Sequence, residues 1–238
     1  MLCTSATSSW SGTRSAGRQG GERTVAGRRV GIFGGTFDPV HVGHLIVAEE
    51  ARVRLGLERV VFVPARISPH KLDDEPAPRE HRYRMVCEAV ADNPLFAVSA
   101  IEIEREGPSF TVDTLLHLRR ELAPDADLYF IMGMDSLESF PRWRDPQRIL
   151  QLCRLVVVSR PGCAVQLDEM ERVVPGLTER TEVLDMLEVG ISSTELRARV
   201  RAGLPIRYQV PGAVERYIAE HGLYAPQEPG EGRRESAP

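Results

Sequence analysis

Two hydrophobic periods alternate along the chain once its polar first stretch is passed. Arg28–Phe33 ends in a short apolar run that meets Gly34-Gly35, the pattern of a buried strand stopped by a turn. Val42–Leu55 then sets Leu45, Ala48, Ala51 and Leu55 at helical spacing, with Gly56 in the C-terminal capping position. Arg59–Val63 predicts a second strand halted by Pro64, and a polar, proline-containing loop runs from Ala65 to Pro78. A helix over Arg79–Ala91 ends before Asn93-Pro94, because a residue preceding proline avoids the helical region. Phe96–Ile103 reads as extended, Thr111–Leu122 as helical and Leu128–Met132 as a buried strand. Asp145-Pro146 supplies an N-cap and a first-turn proline for a short helix to Leu152, followed by the apolar strand Leu155–Val158. Ser192-Ser193-Thr194-Glu195 fits a capping box and opens a helix to about Ala202. Pro211–His221 predicts a last helix, capped by Gly222.

Strands alternating with helices predict an α/β fold with a parallel, doubly wound sheet, helices on both faces and a small C-terminal helical part. Such sheets bind ligands beyond the carboxyl ends of their strands, where the strand order reverses. The exit of the first strand at Phe33-Gly34 is therefore the first place to look for chemistry.

Composition narrows the choice. The 238 residues are 42% hydrophobic and 27% charged, with a formal charge of −4. That is an ordinary globular balance, too even to suggest a nucleic-acid binder or a membrane-surface protein. No apolar run approaches the roughly 18 residues of a membrane span. Cys3, Cys87, Cys153 and Cys163 are scattered without zinc spacing, which suits a reduced cytoplasm, with Cys87 and Cys153 as buried small hydrophobes. Residues 1–27 are rich in Ser, Thr, Gly and Arg and read as a disordered tail. Being Arg-rich and acid-poor, they also admit the less favoured reading of an organelle transit peptide. Residues 225–238 read as a second loose tail, leaving one domain over 28–224. Nothing in the pattern specifies an oligomeric state.

The eleven residues Gly34-Gly35-Thr36-Phe37-Asp38-Pro39-Val40-His41-Val42-Gly43-His44 carry the candidate chemistry. Gly34 and Gly35 allow a sharp turn and close approach of a ligand. Asp38-Pro39 stiffens the loop before the helix. His41 and His44 lie close to one face of the first turn, and Gly43 between them leaves room there for a phosphate. A helix N-terminus already favours anions, and two imidazoles add donors that an arriving anion would keep charged. A zinc site from the same histidines lacks a third Cys, Glu or His nearby.

The string resembles the G-G-[ST]-F-x-P-x-H-x-G-H signature of the HxGH nucleotidyltransferases. Within that superfamily, residues Val30 to Tyr224 look like the bacterial nicotinate-nucleotide adenylyltransferases. The resemblance implies a Rossmann-like fold and transfer of AMP from ATP to nicotinate mononucleotide, giving deamido-NAD and pyrophosphate with Mg²⁺ held mainly by ATP phosphates. Ser68-Pro69-His70-Lys71 matches the family loop whose cation reaches the triphosphate, and Ile191-Ser192-Ser193-Thr194-Glu195-Leu196-Arg197 the segment whose helix start and arginine hold ATP phosphates. Gly133-Met134-Asp135-Ser136 matches a turn at the nucleotide. Pro108-Ser109-Phe110-Thr111 matches the segment beside the nicotinate ring, and Phe140-Pro141-Arg142-Trp143 the segment whose Trp stacks on it.

The implied catalytic set is His41, His44, Lys71 and Arg197. The ATP set is Gly34, Gly35, Thr36, Phe37, Gly43, Gly133, Asp135, Ile191, Ser192, Ser193 and Thr194, and the mononucleotide set is Thr111, Trp143 and Arg144. Plainer readings exist: Lys71 as a solvated loop cation, Trp143 as a core aromatic, Asp135 as a helix cap. Arg144 stands where many relatives have Tyr, and a further cation there would favour nicotinate over nicotinamide. Sister adenylyl- and cytidylyltransferases, or a catalytically silent nucleotide sensor, are the rival functions. The implied partners are small-molecule substrates alone, with no nucleic acid and no membrane.

Overall fold

The computed structural model describes residues 28–67, 76–159, 167–186 and 189–225. Most of the two predicted tails, and the loop segment with Ser68, Pro69, His70 and Lys71, therefore lie outside the described residues. Strands β1 (Arg29–Gly35), β2 (Arg59–Pro64), β3 (Phe96–Val98), β4 (Asp127–Gly133), β5 (Arg154–Ser159) and β6 (Thr181–Asp185) form one sheet. Its order is β3-β2-β1-β4-β5-β6, and every neighbouring pair is parallel. The chain winds outward from β1 in one direction and from β4 in the other, so the reversal falls between β1 and β4.

Both faces of the sheet are covered, which is why its strands read as near-continuous apolar runs. Val30, Ile32, Val61, Val63, Leu128 and Phe130 face helices α4 (Thr111–Glu121), α5 (Met134–Ser139), α6 (Pro146–Leu152) and α7 (Leu167–Val173). Their alternate neighbours Phe33, Val60, Phe62, Tyr129 and Ile131 face α1 (Val42–Leu55), α2 (Arg79–Val90), α8 (Ser193–Arg201) and α9 (Gly212–Glu220). The C-terminal helices belong to this second core through Leu196, Val214 and Ile218. Among the described residues no helix is long and apolar enough to cross a membrane.

Helix α1 has the predicted bounds, and the Asp145 carboxylate caps α6 by accepting from Arg148 N at 3.2 Å. Phe96–Ile103 corrects the expectation of one extended segment. Only Phe96–Val98 pairs, as an edge strand on β2, and the chain then turns into a short helix α3 (Ile101–Glu104). Alternation of Ile and Glu over four residues does not separate a strand from one helical turn. Asp135, read as a possible helix cap, lies inside α5, whose N-cap is Gly133, and the sequence reading has neither α7 nor β6. No residue of α7 is buried, and β6 is a half-exposed edge, so neither leaves a hydrophobic period to detect. Cys153 is buried as expected, whereas Cys87 is only half-buried.

Candidate active site

A cavity of about 530 Å³ opens where the strand order reverses. Its floor is the end of β1 with Gly34, Gly35 and Thr36 and the end of β4 with Gly133, Asp135 and Ser136. Its far wall carries Phe110 and Thr111 at the start of α4, with Trp143 and Arg144 after a 3₁₀ turn at Phe140–Arg142. Thus the whole implied mononucleotide set and five of the implied ATP residues share one space. Trp143 is half-buried: its indole N–H donates to Ser139 Oγ at 3.0 Å and its ring meets Phe130 edge-on. Arg144 lies 4.8 Å over the Phe110 ring and 3.4 Å from the Asp113 carboxylate. Glu102 also lines this cavity and is buried. Thr114 donates to it at 2.5 Å, and burial pushes its carboxyl above the usual carboxylate range.

Neither histidine lines this space: His41 ends the loop that leaves β1, and His44 lies in the first turn of α1. His41 is the N-cap of α1, and its amide donates to His44 Nδ1 at 3.2 Å. An acceptor nitrogen carries no proton, so a neutral His44 holds its hydrogen on Nε2, where it can serve as a donor. The two rings are in contact, tilted by 31° with centroids 3.7 Å apart. Burial lowers the His41 imidazole to about 4, so it is neutral at pH 7 before any anion arrives. Rings this close disfavour double protonation of the pair.

Gly43 differs from its expected use. A Cβ built there would come 3.0 Å from His41 Nδ1, so the imidazole itself fills the space that the sequence reading left for phosphate. Gly35 plays the same part for Phe37, whose ring would meet a Cβ at 2.9 Å. Phe37 is buried and stands edge-on to His44 with centroids 5.1 Å apart. Both glycines therefore seat rings that orient the histidine pair.

The loop between β1 and α1 is fastened from several directions. Arg197 of α8 is buried; it donates to Asp38 O at 2.9 Å and lies 3.5 Å from the Asp38 carboxylate. Ser193 Oγ donates to Pro39 O at 2.9 Å, while Ser192 Oγ caps α8 by accepting from Glu195 N at 3.1 Å. Ile191 is half-buried and Thr194 exposed at the same helix start. Arg82, fully buried in α2, donates to four carbonyls: Thr36, Ala65, Arg66 and Ala77.

Comparison with known proteins agrees with this geometry. The cytidylyltransferase-like family model matches residues 32–199. A protein of Roseiflexus sp. (strain RS-1) described as a probable nicotinate-nucleotide adenylyltransferase is 51% identical over 198 residues, spanning 82% of this chain and 97% of its own. One of the same description from Thermomicrobium roseum is 48% identical over 196 residues, spanning 82% of this chain and 91% of its own. The chain belongs to the nicotinate-nucleotide adenylyltransferase family. In fold, this adenylyltransferase is similar to the Plasmodium falciparum nicotinic acid mononucleotide adenylyltransferase complexed with NaAD, at a TM-score of 0.66 and 18% identity over 83% of this chain and 97% of that one.

Several residues that shape this adenylyltransferase's site carry no motif. Arg82 falls on the helical stripe with Met85, Val86 and Ala89, and a charge on an otherwise buried stripe was the available signal. Glu102 sits between two isoleucines, a weaker cue of the same kind. Tyr224, whose hydroxyl donates to the Asp38 carboxylate at 2.6 Å, is invisible to any local pattern because its partner lies at the other end of the domain.

Proposed function

We propose that the switch-point cavity of this nicotinate-nucleotide adenylyltransferase takes nicotinate mononucleotide beside Trp143, Arg144 and Thr111, and that ATP lies across Gly34–Phe37, Gly133, Asp135 and the start of α8. The reaction joins a 5′-phosphate oxygen to the α-phosphorus of ATP, and the bond from that phosphorus to the bridging oxygen breaks. Pyrophosphate leaves with the electron pair, and deamido-NAD remains. The single observation that carries the reading is that the mononucleotide trio and the turns after β1 and β4 line one cavity.

The acceptor phosphate is already an anion, so no base is needed to make it a nucleophile. The barrier is the crowding of two polyanions and the alignment of the in-line attack. Donors fixed before the substrates arrive lower that barrier, because they need not reorganise during the reaction. His44 Nε2 and the Gly43 amide at the start of α1 supply such donors on this reading. His41, neutral and packed against His44, holds that ring in place and offers a further hydrogen. Lys71 brings charge to the triphosphate from its loop. Arg197 acts from the Asp38 side, where it holds the loop and contributes positive field.

Mg²⁺ fits this donor set as an ion carried by phosphate oxygens and water, since among the described residues Asp135 and Glu102 are the carboxylates that line the cavity and no metal-holding cluster is present. When bound it neutralises charge on the triphosphate. Arg144 on the cavity wall supports a preference for the acid over the amide, and the scattered cysteines suit a cytoplasmic enzyme. The test is pyrophosphate release with ATP and either mononucleotide. Release with nicotinate mononucleotide and little with the nicotinamide form is expected. Equal rates with both would remove the acid preference, and release with neither would remove the reading.

A further inference from the structure

The C-terminal end of the domain returns to the loop that delivers the histidines. The amide of Val42, first residue of α1, donates to Gln209 O at 3.0 Å, so the segment before α9 touches the helix start directly. Helix α9 is then pinned to α2, where His81 Nδ1 and the Tyr217 hydroxyl lie 3.0 Å apart. Beyond it the chain adopts φ 61 at Tyr224, a left-handed conformation that a bulky side chain rarely takes. That conformation aims the phenol at Asp38.

Asp38 is 3% exposed, a carboxylate that needs every partner it has. Its Oδ1 accepts from Tyr224 at 2.6 Å and from the Ala77 amide at 3.2 Å, while Arg197 stands opposite Oδ2 at 3.5 Å. Burial, then the Asp38 charge, raises the phenol's pKa well above its ordinary value, so it remains a proton donor. Three residues after Asp38 comes His41. We propose that Tyr224 is a positioning residue for the His41–His44 pair, acting through Asp38, and this rests on the functional reading above. Without the hydroxyl, Oδ1 keeps only one amide, and the buried carboxylate relaxes by turning outward and carrying Pro39 to His41 with it. The cavity wall that takes the mononucleotide includes neither Asp38 nor Tyr224, so its binding is spared.

The test is Tyr224→Phe in the full chain, which removes one oxygen and keeps the ring. Pyrophosphate release at saturating ATP should fall in kcat by about tenfold, less than the ~10²–10³ of removing a donor that meets the developing charge itself. The KM for nicotinate mononucleotide should stay within about twofold. Proton NMR titration of the imidazoles, with His41→Asn to assign the His41 signal, should show that ring moving up from about 4 toward the ordinary histidine value. A kcat within twofold of wild type, a matching rise in the mononucleotide KM, or an unchanged His41 titration each overturns the proposal. A variant that does not fold marks Tyr224 as structural and overturns it too. If the wild-type chain itself releases no pyrophosphate, the functional reading fails and the titration alone decides the positioning claim.

Discussion

Replacing Arg82 by methionine removes a cation that ties together the loop after β1 and the loop between β2 and α2. Its guanidinium donates to Thr36 O at 2.8 Å, Ala65 O at 2.6 Å, Arg66 O at 3.0 Å and Ala77 O at 2.9 Å. Only the bond to Ala65 is fully buried, so one carbonyl would lose its partner with no water to replace it, at about 1–3 kcal/mol. The other three bonds are partly buried, and each contributes about 0.5–1.5 kcal/mol net. Against this stands the relief of leaving a charge in a desolvated place; burial already pulls the Arg82 pKa down. The balance is a loss of about 3 kcal/mol, a large share of the ~5–15 kcal/mol that holds a domain. Urea unfolding is the assay, and the midpoint should fall by about 1–2 M with an unchanged slope. Arg79→Met, at the start of the same helix and ion-paired with exposed Glu80, should shift stability by less than about 0.5 kcal/mol. An Arg82→Met midpoint within about 0.3 M of wild type would refute the accounting, because four carbonyls would then have found other donors.

Three further outcomes are expected. His44→Ala should lower kcat by about 10²–10³ without altering the circular dichroism spectrum, since it removes the donor aimed at developing charge; a loss under tenfold would count against that role. Trp143→Ala should raise the mononucleotide KM by roughly tenfold, from about 1–3 kcal/mol of lost stacking, and leave the KM for ATP near its starting value. His41, lowered by burial to about 4 from 6.5, makes the unfolded chain the better proton binder between those values. Its contribution is therefore complete above about pH 6.5 and lost as pH falls toward 4, up to about 3 kcal/mol. Denaturant midpoints at pH 7 and 5 should draw together in His41→Asn, and parallel loss in both proteins would show that other groups govern the slope.

Much of this architecture was legible because apolar period and punctuation agree. Val42–Leu55 could be bounded to the residue, since a Gly-Gly turn, a helical stripe and Gly56 all point the same way. Asp145-Pro146 gave the start of α6 by the chemistry of an N-cap. Periodicity reports which side chains face inward, however, and is silent on what a polar one meets there. Arg82 shows as a misplaced charge, yet its four carbonyls come from loops up to 46 residues away. Gly43 could be read as open space because the sequence does not reveal that the neighbouring His41 ring folds over it. Tyr224 and Asp38 are 186 residues apart and meet only after the sheet and both helical layers have formed.

The central claim is that the opening turn of α1, with its paired imidazoles, is where the triphosphate rests. A crystal structure with a non-hydrolysable ATP analogue measures this directly. The account places a phosphate oxygen within hydrogen-bond reach of His44 Nε2, roughly 2.7–3.2 Å, with the adenosine across the ends of β1 and β4. A triphosphate bound elsewhere, out of reach of His44 Nε2, would contradict it.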